Sequence, residues 1–332
     1  MKKLLLMASV ATGVMAFAGN ASADCGNITI ASMTWQSAEV LAYLDKFILN
    51  EGYGCNADVI MGDTVPTITS MVEKGEPDLA PEGWIDLLPD VVSKGLDEGK
   101  IVSGAWSLSD GGVQGWWIPK YVADAHPDIK TIDDALKHPE LFPAPEDPSK
   151  GAVHNGPQGW GGTLVTTQLF KAYEAEKAGF VLVDSGSAAG HDGSIAKAYE
   201  RQQGWLGFYW APTALLGKYE MVKLDHGVPY DEAEWKRCNT VADCPDPKRN
   251  DWPKDRVRTL IAKPFAERAD KDVLDYLNKR SWTNDTVNKL MAWMTDNQAT
   301  GEDGAKHFLK EHPEIWKAWV TPQVAEKIEA AL

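Results

Sequence analysis

The feature that most limits how this chain can fold is an alternation of strand and helix patterns in its first part. Residues 27–31 and 56–61 have strand character, and each is followed by a segment, 37–49 or 65–74, in which apolar residues recur at helical spacing. Such alternation is typical of an α/β domain with a largely parallel sheet. Ligands of these sheets bind at the carboxyl ends of the strands. We therefore predict an α/β fold with its site at that edge.

A second block of strands and helices divides the chain into two lobes. Residues 113–119 have the character of a strand that leaves the first lobe, and residues 257–262 that of a strand that returns to it. Two crossings predict a hinge, and a cleft between hinged α/β lobes is suited to trapping a ligand. The predicted boundaries are 24–112 and 256–332 for lobe 1, and 113–255 for lobe 2, with an irregular insertion at about 229–253.

The first 23 residues have the features of a secretory signal peptide. Lys2 and Lys3 precede an apolar run over residues 4–18, and residues 21–23 form an A-x-A cleavage site. The run is too short for a membrane-spanning helix, which needs about 20 apolar residues. We expect cleavage after Ala23 and a soluble, exported, periplasmic protein.

The four cysteines of this exported chain predict disulfides. Three connectivities are available. We favour the local one, in which Cys238 pairs with Cys244 and Cys25 pairs with Cys55. The spacing of Cys238 and Cys244 is a poor match for structural zinc sites, which usually come as two tight pairs.

The insertion carries a cluster of acidic side chains beside prolines. Asp243, Asp246 and Asp251 are candidate oxygen ligands for a structural Ca²⁺ ion. Their spacing does not match an EF-hand loop, and Lys248 and Arg249 lie among them. A solvated loop is the favoured interpretation, and we expect that no cofactor is required.

Charge and composition narrow the class of ligand. The net charge of -15 argues against nucleic acid and against an acidic membrane as partners. It mildly favours a cationic solute. Tryptophan, with 14 residues, outnumbers both phenylalanine and tyrosine. Because indole offers the best face for an organic cation, this excess suggests a cation-binding box among residues that otherwise pack.

Four tryptophans occupy equivalent places in the predicted topology. Trp35 and Trp84 in lobe 1 and Trp210 in lobe 2 follow predicted strands, whereas Trp160 lies where a loop meets a helix. Any one of them alone is more simply explained as a packing residue. Two in each lobe, all at the edge where α/β sheets bind ligands, favour a box of indole faces in the cleft.

The loop over residues 155–163 presents a second surface beside the face of Trp160. Glycines surround the ring, and residues 164–170, directly after the loop, have the pattern of an amphipathic helix. Free N–H groups at a helix N-terminus favour an anionic or polar oxygen. A methylated ammonium with a small oxygen-bearing end would suit both surfaces. Asn155 is expected to cap the loop, with contact to the ligand as the alternative.

Two further candidates lie near the box. Glu82 stands two residues before Trp84, where it could face a cation or, if protonated, donate to an oxygen; a solvated turn residue is the alternative. Trp116 and Trp117 have opposite facings on the exit strand, and we favour Trp117 as the one that completes the box.

Three segments carry a resemblance to a known family. Gly-Trp-Ile-Asp over 83–86, Gly-Pro-Gln-Gly-Trp-Gly over 156–161 and Tyr-Trp-Ala-Pro over 209–212 resemble the substrate-binding proteins of ABC importers for glycine betaine, choline and related solutes. The likeness spans nearly the whole mature chain. It implies a two-lobed periplasmic binding protein fold, type II-like, and an ABC permease in the inner membrane as partner. Trp84, Trp160 and Trp210 match the cage residues, and Trp35 is similar to the extra aromatic of choline-type members.

Two departures from the family pattern bear on the ligand. Betaine binders resemble one another in a histidine four residues after the first cage tryptophan, where this chain has Leu88. Choline-type members carry an aspartate two residues after the first-strand tryptophan, where this chain has Ser37. Without the histidine or the aspartate to bind the far end of a ligand, a compact ligand is favoured. Trimethylamine N-oxide, whose binding proteins this chain also resembles, is favoured over glycine betaine or choline.

An enzyme acting on a small methylated amine is the alternative of a different class. His154 and Asp192 are candidates for acid and base near the cleft, but no nucleophile stands out. The seven histidines form no H-E-x-x-H motif, and no G-x-S-x-G elbow is present. We therefore expect a binding protein without enzymatic activity.

Overall fold

A computed structural model describes residues 25–332, so the predicted signal peptide lies outside the described residues. In this part of the chain, ten strands form two five-stranded sheets, ordered β2-β1-β3-β10-β4 and β7-β6-β8-β5-β9. The strands are β1 Asn27–Met33, β2 Asn56–Gly62, β3 Leu79–Trp84, β4 Ile101–Trp106, β5 Val113–Pro119, β6 Gly151–Asn155, β7 Phe180–Asp184, β8 Gly207–Ala211, β9 Met221–Lys223 and β10 Val257–Ala262. The predicted two-lobed α/β architecture is confirmed.

The helices cover both sheets and form the C-terminal tail. They are α1 Gln36–Phe47, α2 Thr64–Lys74, α3 Pro89–Asp97, α4 Lys120–Ala125, α5 Ile132–Ala135, α6 Gly161–Ala172, α7 Ala188–Arg201, α8 Ala214–Lys218, α9 Glu232–Glu234, α10 Lys263–Arg268, α11 Lys271–Leu277, α12 Asn284–Asn297, α13 Gly301–Glu311, α14 Pro313–Trp316 and α15 Pro322–Ala331. Short 3₁₀ turns occupy Ile85–Leu87 and Pro139–Leu141, and π-helical turns occupy Ile48–Gly52 and Trp235–Asn239. No helix within residues 25–332 has both the length and the apolar character that crossing a membrane would require.

Each sheet is mixed rather than largely parallel. Strands β1, β2 and β3 run parallel, as do β6, β7 and β8. However, β10 lies antiparallel between β3 and β4, and β5 lies antiparallel to β8 and β9. The antiparallel strands are those next to the crossings, because a strand that arrives from the other lobe enters its sheet from the opposite end. The lobe boundaries stay a prediction at the level of single residues.

The start of α1 differs from the prediction in a way that matters for the site. The segment predicted to be helical begins at residue 37, but Trp35 already occupies the N-cap position, and Ser37 lies buried in the first turn. The helix continues into a π-helical turn at Ile48–Gly52, against which α15 packs. Trp35 is therefore held by a helix start and not by a free loop.

The C-terminal tail is joined to lobe 1 by a buried ion pair. The Nε of Arg280 lies 2.7 Å from Oδ1 of Asp45 on α1, and both side chains are almost fully buried. Tyr276 on α11 donates a hydrogen bond to the same oxygen of Asp45. Because removal of one partner from a buried pair costs about 3–5 kcal/mol, this contact fixes the tail against the first sheet.

The favoured disulfide pairing is confirmed: Cys25 is bonded to Cys55 and Cys238 to Cys244. The first bond joins the start of β1 to the start of β2, which run parallel with Asn27 opposite Asn56. It closes a loop with a sequence separation of 30, whereas the second closes one of 6. Chain-entropy arguments therefore give the first bond the larger effect on stability.

We predict that replacing Cys25 and Cys55 together by serine lowers the free energy of unfolding by about 3–4 kcal/mol, because the longer loop regains more entropy when unfolded. The matched double change at Cys238 and Cys244 should cost about 2 kcal/mol on the same basis. Urea denaturation of both variants measures the difference. A larger loss for the Cys238–Cys244 variant would contradict the prediction.

Candidate functional site

A small cavity lies between the two lobes, at the carboxyl ends of β1, β3 and β8. All of its lining side chains are uncharged, and they come from both lobes. They are Trp35, Thr64, Trp84, Leu87, Gln114, Trp160, Gly161, Gly162, Phe208 and Trp210. The structure thus brings the four predicted tryptophans and Gly161 together around one cavity.

The aromatic rings of the cavity form a box with perpendicular walls. The ring of Trp160 is perpendicular to that of Trp35, with centroids 5.7 Å apart, and to that of Trp210, with centroids 5.0 Å apart. Phe208 stacks beside Trp210 at 5.9 Å. Each of the four tryptophans is at most 7% exposed. Rings at right angles present several π faces to one point, which suits a compact cation.

Glu82 fixes the two indoles of lobe 1. Its Oε1 accepts hydrogen bonds from Nε1 of Trp35 at 2.7 Å, from Nε1 of Trp84 at 3.1 Å and from the hydroxyl of Ser37 at 3.0 Å. The side chain is 1% exposed, and burial raises the pKa of its carboxyl. Glu82 is buried and not a solvated turn residue, and it lies behind the rings rather than on the cavity wall.

Trp160 is held from the opposite lobe. Its Nε1 donates to Oγ1 of Thr34 at 2.8 Å and to Oδ1 of Asp63 at 3.1 Å, and both acceptors belong to lobe 1. The hydroxyl of Thr34 in turn donates to Asp63 at 2.6 Å. Beside them, the N–H of Val65 donates to the carbonyl of Gly159 across the cleft at 3.0 Å. The ring in the box therefore also bonds the two lobes to each other.

The N-terminus of α6 opens onto the cavity through two glycines. A Cβ on Gly161 would lie 2.6 Å from Leu87, and one on Gly162 would lie 2.2 Å from the ring of Phe208. Only glycine allows the helix start to approach these side chains. Trp160 provides no side-chain cap for the helix, so its first N–H groups are available to an oxygen in the cavity.

The two crossings lie side by side at the base of the cavity. Gly112 and Asp255 exchange both backbone hydrogen bonds, at 2.9 and 3.0 Å. Oδ2 of Asp255 accepts a bond of 2.9 Å from the amide of Gln114, which lines the cavity. Burial raises the pKa of Asp255 well above its usual value. A Cβ on Gly112 would lie 2.1 Å from the ring of Trp84, so the crossing also determines where that indole lies.

A second bridge between the lobes comes from the insertion. Nε1 of Trp235, in the π-helical turn of the insertion, donates to the carbonyl of Asp86 in lobe 1 at 2.7 Å. The carboxylate of Asp86 binds the guanidinium of Arg256 at the second crossing, with Nε 3.0 Å from Oδ1. The insertion thus has a defined structural role in holding the lobes together.

Several predicted site residues are not brought to the cavity. Trp117 donates its indole N–H to the carbonyl of Tyr209 at 2.9 Å and does not line the cavity. Gln114, on the opposite face of β5, lines the cavity instead. Asn155 caps the loop as expected, since its side chain bonds the amide of Gly156 and the carbonyl of Thr163.

The three aspartates of the insertion are not brought together. Asp246 accepts from the guanidinium of Arg237 at 3.1 Å, and Asp251 accepts from the backbone of Trp252. Asp243 is exposed. Within residues 25–332, the one convergent group of metal-ligating residue types comprises Asp246 and the two disulfide-bonded cysteines Cys238 and Cys244. The structural calcium ion stays a prediction without geometric support.

The candidate acid and base of the enzyme hypothesis have different partners. His154 stacks on Trp205, and burial lowers its pKa to about 3. Asp192 accepts a hydrogen bond from the hydroxyl of Tyr209, and burial raises its pKa to about 6. Neither residue lines the cavity.

Five lining residues were missed by sequence reasoning: Thr64, Leu87, Gln114, Gly162 and Phe208. A signal existed for two of them. Phe208 lies two residues before Trp210 and so shares its face of the strand. Thr64 begins a helix directly after the second strand, at the edge where ligands bind.

Comparison with known proteins places these observations in a family. Residues 26–311 match the family OpuAC, described as the substrate-binding domain of the ABC-type glycine betaine transport system. A trimethylamine N-oxide-binding protein of Pelagibacter ubique (strain HTCC1062) is 25% identical over 327 residues, which cover 95% of this chain and 98% of that protein.

Solved structures with the same fold include two binding proteins of ABC transporters. The glycine betaine/L-proline-binding protein ProX from Borrelia burgdorferi has a TM-score of 0.71 at 21% identity, over 91% of this chain and 99% of that one. A choline-binding protein in complex with choline has a TM-score of 0.72 at 17% identity, over 92% of this chain and 98% of that one. These similarities confirm the two-lobed periplasmic binding protein fold.

We predict that Trp160→Phe loosens the contact between the lobes, because it keeps a ring but removes the N–H that bonds Thr34 and Asp63. A hydrogen bond to a charged group contributes about 1.5–3 kcal/mol. Amide hydrogen exchange at Val65, whose N–H crosses the cleft, should therefore become about tenfold faster or more.

Trp205→Phe is the matched control for this change. It also removes an indole N–H bond, but that bond, to Ser194, stays inside lobe 2. Exchange at Val65 should be unchanged in this variant. Equal acceleration in both variants, or none in Trp160→Phe, would show that the Trp160 bond does not hold the lobes together.

Proposed function

The chain belongs to the family of substrate-binding domains of ABC-type glycine betaine transport systems, and we propose on this basis that its ligand is a methylated-ammonium osmolyte, with trimethylamine N-oxide favoured. It is a substrate-binding protein of a transporter of the betaine, choline or trimethylamine N-oxide type. The observation that carries the proposal is the box of four indoles, two from each lobe, around an uncharged cavity.

The walls of the box match the methylated end of such a ligand. A trimethylammonium group cannot donate hydrogen bonds, so it needs a surface that attracts positive charge without polar partners. Indole faces provide that attraction at about 0.5–2 kcal/mol each, with the larger values in sites removed from water. The cavity has little exposed polar surface, since its lining is tryptophan, phenylalanine, leucine, threonine, glutamine and glycine.

The oxygen end of the ligand has its own partners. The N–H groups at the start of α6, at Gly161 and Gly162, and the side chains of Thr64 and Gln114 line the same cavity. A helix N-terminus carries partial positive charge and favours an oxygen with negative character. An N-oxide places such an oxygen one bond from the nitrogen, which makes trimethylamine N-oxide the most compact of the candidate ligands.

The absence of a charged wall residue separates the candidate ligands. A longer carboxylate or hydroxyl arm, as in glycine betaine or choline, would need a partner further from the box. Related proteins resemble one another in carrying such a partner at the positions of Leu88 and Ser37. In this chain Leu88 is buried and does not line the cavity, and the hydroxyl of Ser37 donates to Glu82. Trimethylamine N-oxide, the ligand named for the Pelagibacter relative, needs no arm. Glycine betaine or choline in the same box is the alternative.

Closure of the lobes is the mechanism of capture. Trp35 and Trp84 contribute one half of the box from lobe 1, and Trp160 and Trp210 contribute the other from lobe 2. A ligand between them therefore favours the closed form, in which all four faces are in contact with it. We propose that this form is presented to an ABC permease in the inner membrane, and that the protein acts in the periplasm after cleavage at Ala23.

We predict that Trp160→Ala weakens binding of trimethylamine N-oxide by at least about 1–2 kcal/mol, the scale of one desolvated cation–π contact. Isothermal titration calorimetry measures the change. Trp106→Ala is the matched control, because Trp106 also holds a cation over its ring, Arg258 at 4.3 Å, but lies outside the cavity. Wild-type affinity in Trp160→Ala would remove Trp160 from the binding site.

Calorimetry with a panel of ligands tests the choice among osmolytes. The panel comprises trimethylamine N-oxide, glycine betaine, choline, carnitine and dimethylsulfoniopropionate. Trimethylamine N-oxide should bind most tightly, with one ligand per protein. Analysis of the recovered ligand by NMR separates binding from catalysis, since a binding protein returns it unchanged. Tighter binding of betaine or choline would replace the favoured ligand, and turnover would support the enzyme alternative.

A further inference from the structure

We propose that Glu82 makes the box selective for positive charge by acting through the indoles of Trp35 and Trp84, although it does not itself contact the ligand. This inference rests on the proposed function, since it assigns a role within the same site. It concerns how the protein distinguishes a trimethylammonium group from an uncharged group of the same shape. Glu82 is therefore a positioning and selectivity residue, one layer behind the cavity wall.

The geometry directs the charge of Glu82 at the ring edges. One oxygen, Oε1, accepts the N–H bonds of both Trp35 and Trp84, at 2.7 and 3.1 Å. Glu82 and Trp84 are two residues apart on β3 and so share a face of the sheet. The two indoles thus have their N–H edges at one carboxyl group and line the cavity with their rings.

Within residues 25–332, no cationic side chain hydrogen-bonds this carboxyl, whose donors are Trp35, Trp84 and Ser37. The nearest buried guanidinium, Arg280, is paired with Asp45 at 2.7 Å and bonds Thr259 and the carbonyl of Pro81. Within residues 25–332, the second oxygen of Glu82 is buried and has no hydrogen-bond partner. Arg280 therefore acts on an ionised Glu82 only through space, and a cation in the box would be a second counter-charge for it.

Two electrostatic effects then favour a cation. Charges interact strongly where water is excluded, so an ionised Glu82 attracts a positive group on the far side of the rings. In addition, a hydrogen bond from an indole N–H to a carboxylate shifts electron density into the ring, which strengthens the attraction between its face and a cation. Neither effect acts on an uncharged ligand.

A purely structural role does not require a carboxyl at this position. A glutamine amide oxygen could accept the same N–H bonds without the cost of burying an ionisable group, which is several kcal/mol for an isolated charge. Burial raises the pKa of Glu82 accordingly. A cation in the box favours the ionised form and so offsets part of this cost. The glutamate is therefore explained by the ligand's charge and not by packing alone.

The test uses Glu82→Gln, which keeps the shape and the acceptor oxygen but removes the charge. Two ligands are compared by calorimetry or by competition: choline and its uncharged carbon isostere, 3,3-dimethylbutan-1-ol. Wild-type protein should prefer choline. In Glu82→Gln, affinity for choline should fall on the order of tenfold or more, from the loss of a Coulomb attraction in a low-dielectric site, whereas affinity for the alcohol should stay within about twofold.

Glu326→Gln is the matched control. Glu326 is exposed on α15 and does not line the cavity, so this variant loses the same charge outside the site. It should retain the wild-type affinities for both ligands. Near-ultraviolet circular dichroism of Glu82→Gln, compared with wild-type protein, reports whether the indoles keep their packing.

A second measurement uses the wild-type protein and does not depend on the folding of a variant. NMR resonances of the Nε1–H groups of Trp35 and Trp84 should move downfield when choline binds, because the cation strengthens their bonds to Glu82. The isosteric alcohol controls for ring-current effects and should not produce this shift.

The outcomes separate this inference from the proposed function. If wild-type protein binds no methylated ammonium ligand, the proposed function fails and the inference fails with it. If it binds trimethylamine N-oxide but not choline, the same comparisons are made with trimethylamine N-oxide and its uncharged carbon isostere, tert-butanol. If wild-type protein binds but Glu82→Gln keeps the ratio of choline to alcohol affinity, the inference alone is overturned. An equal loss for both ligands would show that Glu82 only supports the rings. If Glu82→Gln does not fold, equal NMR shifts with both ligands overturn the inference.

Discussion

The site depends on acidic acceptors that hold the N–H edges of the indoles. A buried indole needs a partner for its N–H group, and its faces are most useful when they are left free. Glu82 meets this need for Trp35 and Trp84 from within their own lobe, whereas Asp63 and Thr34 meet it for Trp160 from the opposite lobe. Each ring is thus fixed at its polar edge and leaves its face to the cavity. The bonds that orient Trp160 also hold the lobes in contact.

Glycine allows so many large rings to meet in a small volume. A Cβ at Gly112 would overlap the ring of Trp84, and one at Gly156 would lie 2.7 Å from the ring of Trp160. At Gly162 the neighbour would be Phe208. Backbone without side chains therefore forms part of the wall behind each half of the box. The glycine-rich loop that leads into α6 serves the rings as much as it serves the helix N-terminus.

The tryptophans of the box could be predicted because their positions follow from topology. Trp84 ends β3 and Trp210 lies one residue before the end of β8, so the edge of the sheet brings them to the cleft. The facing of Trp117 could not be predicted, because a period of two gives two faces of a strand but not which one meets the cavity. The actual contributor, Gln114, lies on the other face of β5.

Hydrogen bonds between residues distant in sequence could not be predicted from local sequence patterns. The bond from Trp35 to Glu82 joins residues 47 apart in sequence, and the bond from Trp160 to Thr34 spans 126. Likewise, the position of β10 between β3 and β4 depends on the whole course of the chain. The pattern of β10 predicts a strand, but its direction and neighbours follow from packing that no short window contains.

The paired crossings at Gly112 and Asp255 have a consequence for how long a bound solute stays in the site. In the proposed closure, two chain segments bonded side by side would favour rotation of the lobes about one axis over free twisting. Each half keeps its own rings and their acceptors during the swing, except for the one indole whose N–H bond is exchanged for water. An arriving solute would therefore meet two preformed halves of the binding site. Its residence time would be set by how often the lobes open.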